Sequence, residues 1–353
     1  MTFVYILLGI LLFGLLIAIH EFGHFAAAKL FGVRVEEFSL GMGPALWSRQ
    51  RGETLYSLRA LPIGGFCAMT GEDEKIEGDE RALTSQSVWK RLIILSAGSF
   101  MNFVLGLVLV ICIYSTATGF KAPVIVGFMD GCPYESAEGL QKGDRILKID
   151  GRRVLQYGDI GDFLSRGDGE YDLVLRREGQ RVTLTDFKFV PVEYAGQEGK
   201  MYGLYFGYDE ATPANKLRYS WNTTMQFGRL VWMGLGQIAQ GQVTMDDMAG
   251  PVGIVNLMAE TGENAASMRD AVLDILYLGA FIAVNLAIMN MLPIPALDGG
   301  RVFLMLVTWV IEKLTRRHLD PKYEGYIHAA GMVLLLALMA LIMFNDIIRI
   351  VMK

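Results

Sequence analysis

The chain has 353 residues, 52% of them hydrophobic and 20% charged, with a mean hydropathy of +0.35. That is too apolar for a wholly soluble enzyme, while the charged fraction requires part of the chain to sit in water, so a membrane protein with a soluble portion is expected. A net charge of −5 argues against nucleic acid as a partner, and Cys67, Cys112 and Cys132 are too scattered for a CxxC pair or a disulfide framework.

In chain order, residues 2 to 19 are uncharged and apolar and run directly into His20-Glu21-Phe22-Gly23-His24. About 20 helical residues cross a hydrocarbon core. With no basic region before it and no small-residue cleavage site after it, the stretch reads as a span rather than a signal peptide, occupying 1–32 with its motif. His20 and His24, four apart, share a helix face and can reach one ion, and neutral imidazole suits Zn²⁺. Glu21 is rotated off that face, where it meets a water rather than the metal, as a general base must. Chance gives this H-E-x-x-H pattern on the order of a few times per thousand chains of this composition. The bland alternative, two polar residues facing headgroups at a helix end, is disfavoured because ionisable groups inside a span are costly.

Residues 33–74 read as membrane-associated β structure, with short alternating runs broken by GMGP and by PIGG, which contains Gly64 and Gly65. An acidic run, Glu72-Asp73-Glu74, leads into a solvated connector over 75–91. A second span is expected over 92–120. Residues 121–192 look like a compact soluble β-rich domain with strands at Val124–Val126, Arg145–Ile149, Tyr171–Leu175 and Arg181–Leu184 and one helix near 157 to 165. The stretch GLQKGDRILKIDGRRV resembles the core of a PDZ domain, whose groove takes an extended peptide as an added strand. A small β domain with no peptide-binding role is the plainer alternative. Residues 193–270 read as a linker with an apolar helix around Trp221 to Leu235, lying in the interface or packed on the external domain. A third span with its loop covers 271–300, a cytoplasmic helix or loop 301–324, and a fourth span 325–350.

Lys and Arg follow the first span (Lys29, Arg34, Arg49, Arg51, Arg59, Lys90, Arg91) and the third (Arg301, Lys313, Arg316, Arg317, Lys322), so both loops are expected in the cytoplasm and the 121–270 region outside. The third metal ligand is expected at Asp298, at the end of the third span in NMLPIPALDGG. Pro293 and Pro295 break the helix at membrane depth, which is tolerated only where backbone is buried in protein or lines a wet cavity. A helix-cap role for Asp298 is the alternative. The first and third spans end on the same side, which brings the two halves of the site to one depth.

Taken together, H-E-x-x-H at His20 to His24 and N-x-x-P-x-P-x-L-D-G-G at Asn290 to Gly300 resemble the site-2 protease family of intramembrane zinc metalloproteases, of the bacterial regulator-of-sigma-E protease type. FSLGMGPALW, LPIGGF, Ala97-Gly98 with Asn102, and AGPVGI at 249 to 254 extend the likeness over nearly the whole chain, although there is room for one PDZ-like domain rather than two. The resemblance implies an α-helical polytopic membrane protein with four transmembrane helices, a cytoplasmic-side membrane-associated β-hairpin or sheet and an extracytoplasmic PDZ-like domain. It also implies proteolysis within the lipid bilayer of the plasma membrane, on single-span substrates already shortened outside, such as anti-sigma factors or remnant signal peptides. The metal set is then His20, His24 and Asp298, with Glu21 as base. Asn102, Asn290, Pro293, Pro295, Gly64 and Gly65 are expected around the substrate backbone, intramembrane Asn serving equally to tie helices together. Two rivals stand beside this reading: an inactive membrane scaffold or chaperone carrying a PDZ module, and a metal transporter.

Overall fold

The computed structural model describes residues 2–72, 78–194, 199–242, 250–315 and 322–352, so most of the acidic run, Asp73, Glu74 and Glu77, lies outside the described residues, as do Arg316 and Arg317. The chain divides into two compact units, residues 1–110 with 227–353, and residues 111–226.

Four helices of the described chain are long and apolar enough to cross a membrane: Phe3–Leu30, Val88–Ser115, Met268–Met289 and Gly325–Ile348. They belong to α1 (Thr2–Leu30), α2 (Val88–Ser115), α6 (Met268–Met289) and α8 (Lys322–Met352). The second span departs from the expected 92–120, since α2 begins four residues earlier and Gly119 already lies in a strand. Lys90 and Arg91 stand in its first turn, where Lys90 Nζ donates to Gln86 Oε1 at 3.2 Å. The small and polar Ser-Thr-Ala-Thr-Gly run ends the helix.

Small residues let these helices approach closely, the device that replaces hydrophobic driving force in lipid. A Cβ at Gly106 would meet Ala280 and Val284, and one at Gly279 would meet Leu12. Helix α5 (Pro251–Asn264) packs along α1, where Met258 fills the space beside Gly9 and Tyr5 lies against Gly262. Its N-terminal amides at Gly250 and Gly253 donate to the buried carboxylate of Asp346 on α8, at 3.0 and 2.9 Å. Helix α4 (Pro213–Ala239) carries the apolar stretch expected in the linker, and its Phe227 sits edge-on to Tyr277 and Phe281 of α6, at 5.0 and 5.5 Å. That half of α4 therefore packs on a span.

Strands β1 (Val35–Arg51) and β2 (Thr54–Met69) form the β structure within the 33–74 region. Both bend, so that Glu37 pairs with Leu55 on one side and Ala68 on the other, while Ser57 pairs with Ser39 and Ser48. The result is four strand segments in the order 65–69, 35–40, 54–58, 47–51. Met42, Leu46, Trp47, Leu58 and Leu61 are exposed, an apolar surface suited to lipid.

The second unit holds a sheet in the order β10-β3-β4-β6-β7, from β10 (Leu204–Glu210), β3 (Gly119–Phe128), β4 (Arg145–Ile149), β6 (Glu170–Arg177) and β7 (Gln180–Lys188). The two-residue β5 (Arg152–Arg153) pairs with β4, and β8 (Val192–Glu193) pairs with β9 (Lys200–Met201). The sheet thus draws a strand from beyond residue 192, a pairing across some eighty residues that local pattern does not announce. Helix α3 (Gly158–Leu164) contributes Ile160, Phe163 and Leu164 to a core with Ile125, Ile146, Leu173 and Leu175. Beneath the surface Asp144, fully buried, takes a two-pronged bond from Arg177, with Nε and Nη2 each 2.8 Å from its oxygens.

Candidate metal centre

Helix α1 runs unbroken through the H-E-x-x-H sequence, so His20 and His24 lie one turn apart on one face, ring centroids 4.9 Å apart and nearly perpendicular. Each ring is held from behind. His24 Nδ1 lies 2.9 Å from the Ile94 carbonyl of α2, and only a protonated Nδ1 can donate to it, which leaves the Nε2 lone pair facing forward. His20 Nδ1 lies 3.4 Å from the Asn102 side-chain amide, whose Oδ1 is buried without a partner. With the amide turned so that Oδ1 accepts the Nδ1–H, both groups are satisfied and His20 Nε2 is also left free to bind an ion. Gly98 makes this approach possible, since a Cβ there would collide with His24 Nε2 and sit 2.8 Å from His20 Cε1.

The other half of the site comes from the chain after α6, whose end is capped at Asn290. Pro293 and Pro295 prevent further helix, and the chain turns through Ala296, whose φ of 78° is rare for a residue with a side chain. That turn is held by the Ala296 amide, which donates to His328 Nδ1 of α8 at 3.1 Å, and by the Gly299 amide, which donates to the Asn290 carbonyl at 2.7 Å. Strain of this kind persists only where surroundings impose it, and here it delivers Asp298 to the start of α7 (Asp298–Thr315).

The three donor atoms form a nearly equilateral triangle: His20 Nε2 to His24 Nε2 is 3.3 Å, and Asp298 Oδ2 lies 3.2 Å from the first and 3.3 Å from the second. Ligands about 2.0–2.1 Å from a tetrahedral zinc stand roughly 3.3–3.4 Å from one another. Asp298 Oδ2 is buried with no hydrogen-bond donor, a costly arrangement that a cation at the triangle relieves. The residues therefore fit zinc in number, type and spacing, with one coordination position left open.

A cavity of about 360 Å³ opens onto the triangle, walled by Glu21, by the strand segment 65–69, and by Glu72 and Arg301. Glu21 reaches in from α1 beside Gly65, where an added Cβ would meet its Cγ at 3.0 Å. Of the six residues expected around substrate, Gly65 lines this cavity. Gly64 is covered by Met42, Pro295 lies against Gly331 of α8, and Pro293 shapes the turn. Asn102, 1% exposed, and Asn290, with Nδ2 3.5 Å from His20 Nε2, both address His20 rather than the cavity wall. Burial first, and the charge of Glu21 second, push the Cys67 thiol up to about 12, so it packs as a neutral thiol beside the site. Sequence reasoning did not single out Ile94, His328, Glu72 or Arg301; His328 alone carried a hint, as an ionisable group in an apolar stretch.

The profile of peptidase family M50 matches residues 8–338. A Clostridium acetobutylicum protein, named as a candidate zinc metalloprotease, is 36% identical over 99% of this chain and 98% of its own. Zinc metalloprotease RasP of Bacillus licheniformis is 27% identical over 96% of this chain and 98% of its own, and the regulator of sigma-W protease RasP of Bacillus subtilis 23% identical over 96% and 97%. A helical membrane fold carrying this donor set is that of a zinc metalloprotease. The chain belongs to peptidase family M50, the site-2 proteases, and its cofactor is zinc.

Proposed function

We propose that the chain cleaves peptide bonds within the transmembrane segments of single-span membrane proteins, with His20, His24 and Asp298 holding the metal and Glu21 acting as general base. One observation carries this reading: donors at tetrahedral spacing, two on a helix of membrane-spanning length and the third at the start of the helix that follows another such span.

A peptide bond in a transmembrane helix is shielded by its own hydrogen bonding and lacks water. Zinc, when bound, supplies Lewis acidity that polarises the scissile carbonyl and acidifies the attacking water. Glu21 takes the proton from that water and returns it to the leaving amine. Strand segment 65–69 lies at the edge of its sheet and along the cavity, and it holds the unwound substrate extended through main-chain bonds. Asn102 sets the His20 ring, and Asn290 guards its metal-facing side.

The site lies toward the cytoplasm, by the Lys and Arg bias, and the 111–226 unit lies outside. That unit is a PDZ-like domain extended to Glu210, and its own cavity of about 380 Å³ between α3 and β10, lined by Ile160, Leu164, Leu204 and Phe206, receives the end of a substrate shortened outside. The name of the Bacillus subtilis relative, regulator of sigma-W protease, favours anti-sigma factors as one substrate class. Co-expression with single-span reporters tests the proposal: wild type converts a reporter to shorter products and Glu21→Gln binds it intact. Equal processing by both would end it.

A further inference from the structure

The last strand segment of the hairpin does not end free. At its terminus the Met69 amide donates to Glu72 Oε2 at 3.3 Å, while the Glu72 amide donates back to the Met69 carbonyl at 3.2 Å. The second carboxylate oxygen of Glu72 pairs with Nη1 of Arg301. Arg301 stands in the first turn of α7, three residues after Asp298, and both it and Glu72 line the metal cavity. Both side chains are partly buried, 31% exposed for Arg301 and 19% for Glu72, so solvent screens the pair less than one on an open surface.

We propose that the Glu72–Arg301 pair is a positioning clasp that fixes the register of a docked substrate against the metal centre. It rests on the reading of 65–69 as the docking edge. A peptide added to an edge strand takes its register from that strand, and the nearest slip that keeps the same side chains facing inward is two residues, about 6.6 Å along the chain. Such a slip puts a different bond opposite Glu21. The strand is paired with 35–40 on its sheet side, and its Cys67 and Met69 share an apolar core with Val302 and Met305 of α7, packing that is non-directional and leaves the strand's position along α7 without a polar reference. Glu72 supplies that second reference: one oxygen holds the strand end, and the other holds the helix that carries Asp298. Neither residue touches the reacting atoms in this scheme. They act through the strand.

The test uses the full chain in liposomes with a synthetic single-span reporter, an Ala/Leu helix interrupted by glycine and flanked by lysine, its products mapped by mass spectrometry. Glu72→Gln, Arg301→Gln and the double variant are compared with wild type, each with its zinc content measured. Each single change is expected to spread cleavage to bonds two residues away and to lower kcat/KM about tenfold, with zinc retained. The double variant should fall no lower than the worse single, because both remove the same link. Arg301→Lys, which keeps the charge, should retain the single cut. Singles that cut one bond at the wild-type rate would overturn the clasp, as would losses that multiply to about a hundredfold, or an Arg301→Lys variant that spreads its products as Arg301→Gln does. Identical products from wild type and Glu21→Gln would instead remove the protease reading beneath it.

Discussion

A single methyl group added at position 98 would strike the imidazoles of both His20 and His24, which makes Gly98 as much a part of the candidate site as the proposed ligands themselves. Gly98→Ala is therefore expected to strip the zinc from the purified protein while the helices stay folded, and metal analysis beside circular dichroism checks both halves of that statement. Asn102→Ala acts more gently. It removes the group that sets the His20 ring, and losses of this kind lower metal affinity about 10- to 100-fold, read by competition with a chelator. Glu21→Gln should leave zinc in place and lower the cleavage rate by about 10²- to 10⁴-fold, the usual contribution of a positioned base.

Among the elements, α5 shows how a span can be anchored by a charge. Asp346 is 2% exposed and accepts two amides from the start of α5, with the space at Gly250 and Gly253 filled by its carboxylate. Asp346→Ala leaves those amides without acceptors in an apolar setting, and the loss of such a cap costs about 1 kcal/mol or more. A lower midpoint of thermal unfolding in detergent is the expected result. In the second unit the buried Asp144 depends on Arg177, so Arg177→Ala leaves a carboxylate with little beyond the Gln141 amide and should destabilise that unit by about 3–5 kcal/mol.

How far each element was legible follows from the range of the interactions that make it. The first and third spans and the H-E-x-x-H helix declare themselves by composition and by a four-residue spacing. The two halves of the candidate site, His24 and Asp298 being 274 positions apart, are joined in the sequence by both spans ending on one side and by the resemblance of the two motifs to one family. What stayed hidden depends on contacts no local pattern carries: the Ile94 carbonyl behind His24, His328 beneath the Ala296 turn, and Glu72 reaching Arg301. The two asparagines were recognised as polar groups at membrane depth, and their turn toward His20 emerges from packing.

For the molecule as a whole, acid should weaken the 111–226 unit through Asp209. Burial would raise the Asp209 carboxyl, but hydrogen bonds from Arg145 and Tyr219 and the charges of Arg145 and Arg218 outweigh it and hold the group below the usual carboxylate range. A lowered folded value means that stability is fully present above the ordinary aspartate range and is lost as pH falls through the folded value. Amide exchange in β10 and β3 of the intact protein should therefore quicken as pH falls below the ordinary aspartate value of about 3.9, where the unfolded chain takes up a proton that folded Asp209 resists, and Asp209→Asn should remove that dependence. Glu53, in the first unit, is drawn down to about 2 by hydrogen bonds from Arg81 and Lys29, but it is exposed, so its pairs are screened and add little acid sensitivity there.

The most direct test of the account is X-ray absorption at the zinc edge on the purified full chain, wild type beside Asp298→Ala. One zinc per chain with two imidazole nitrogens and oxygen ligands, and a site weakened or emptied by the substitution, is what the geometry requires. A wild-type protein without zinc, or a metal environment unchanged when Asp298 is removed, would contradict it.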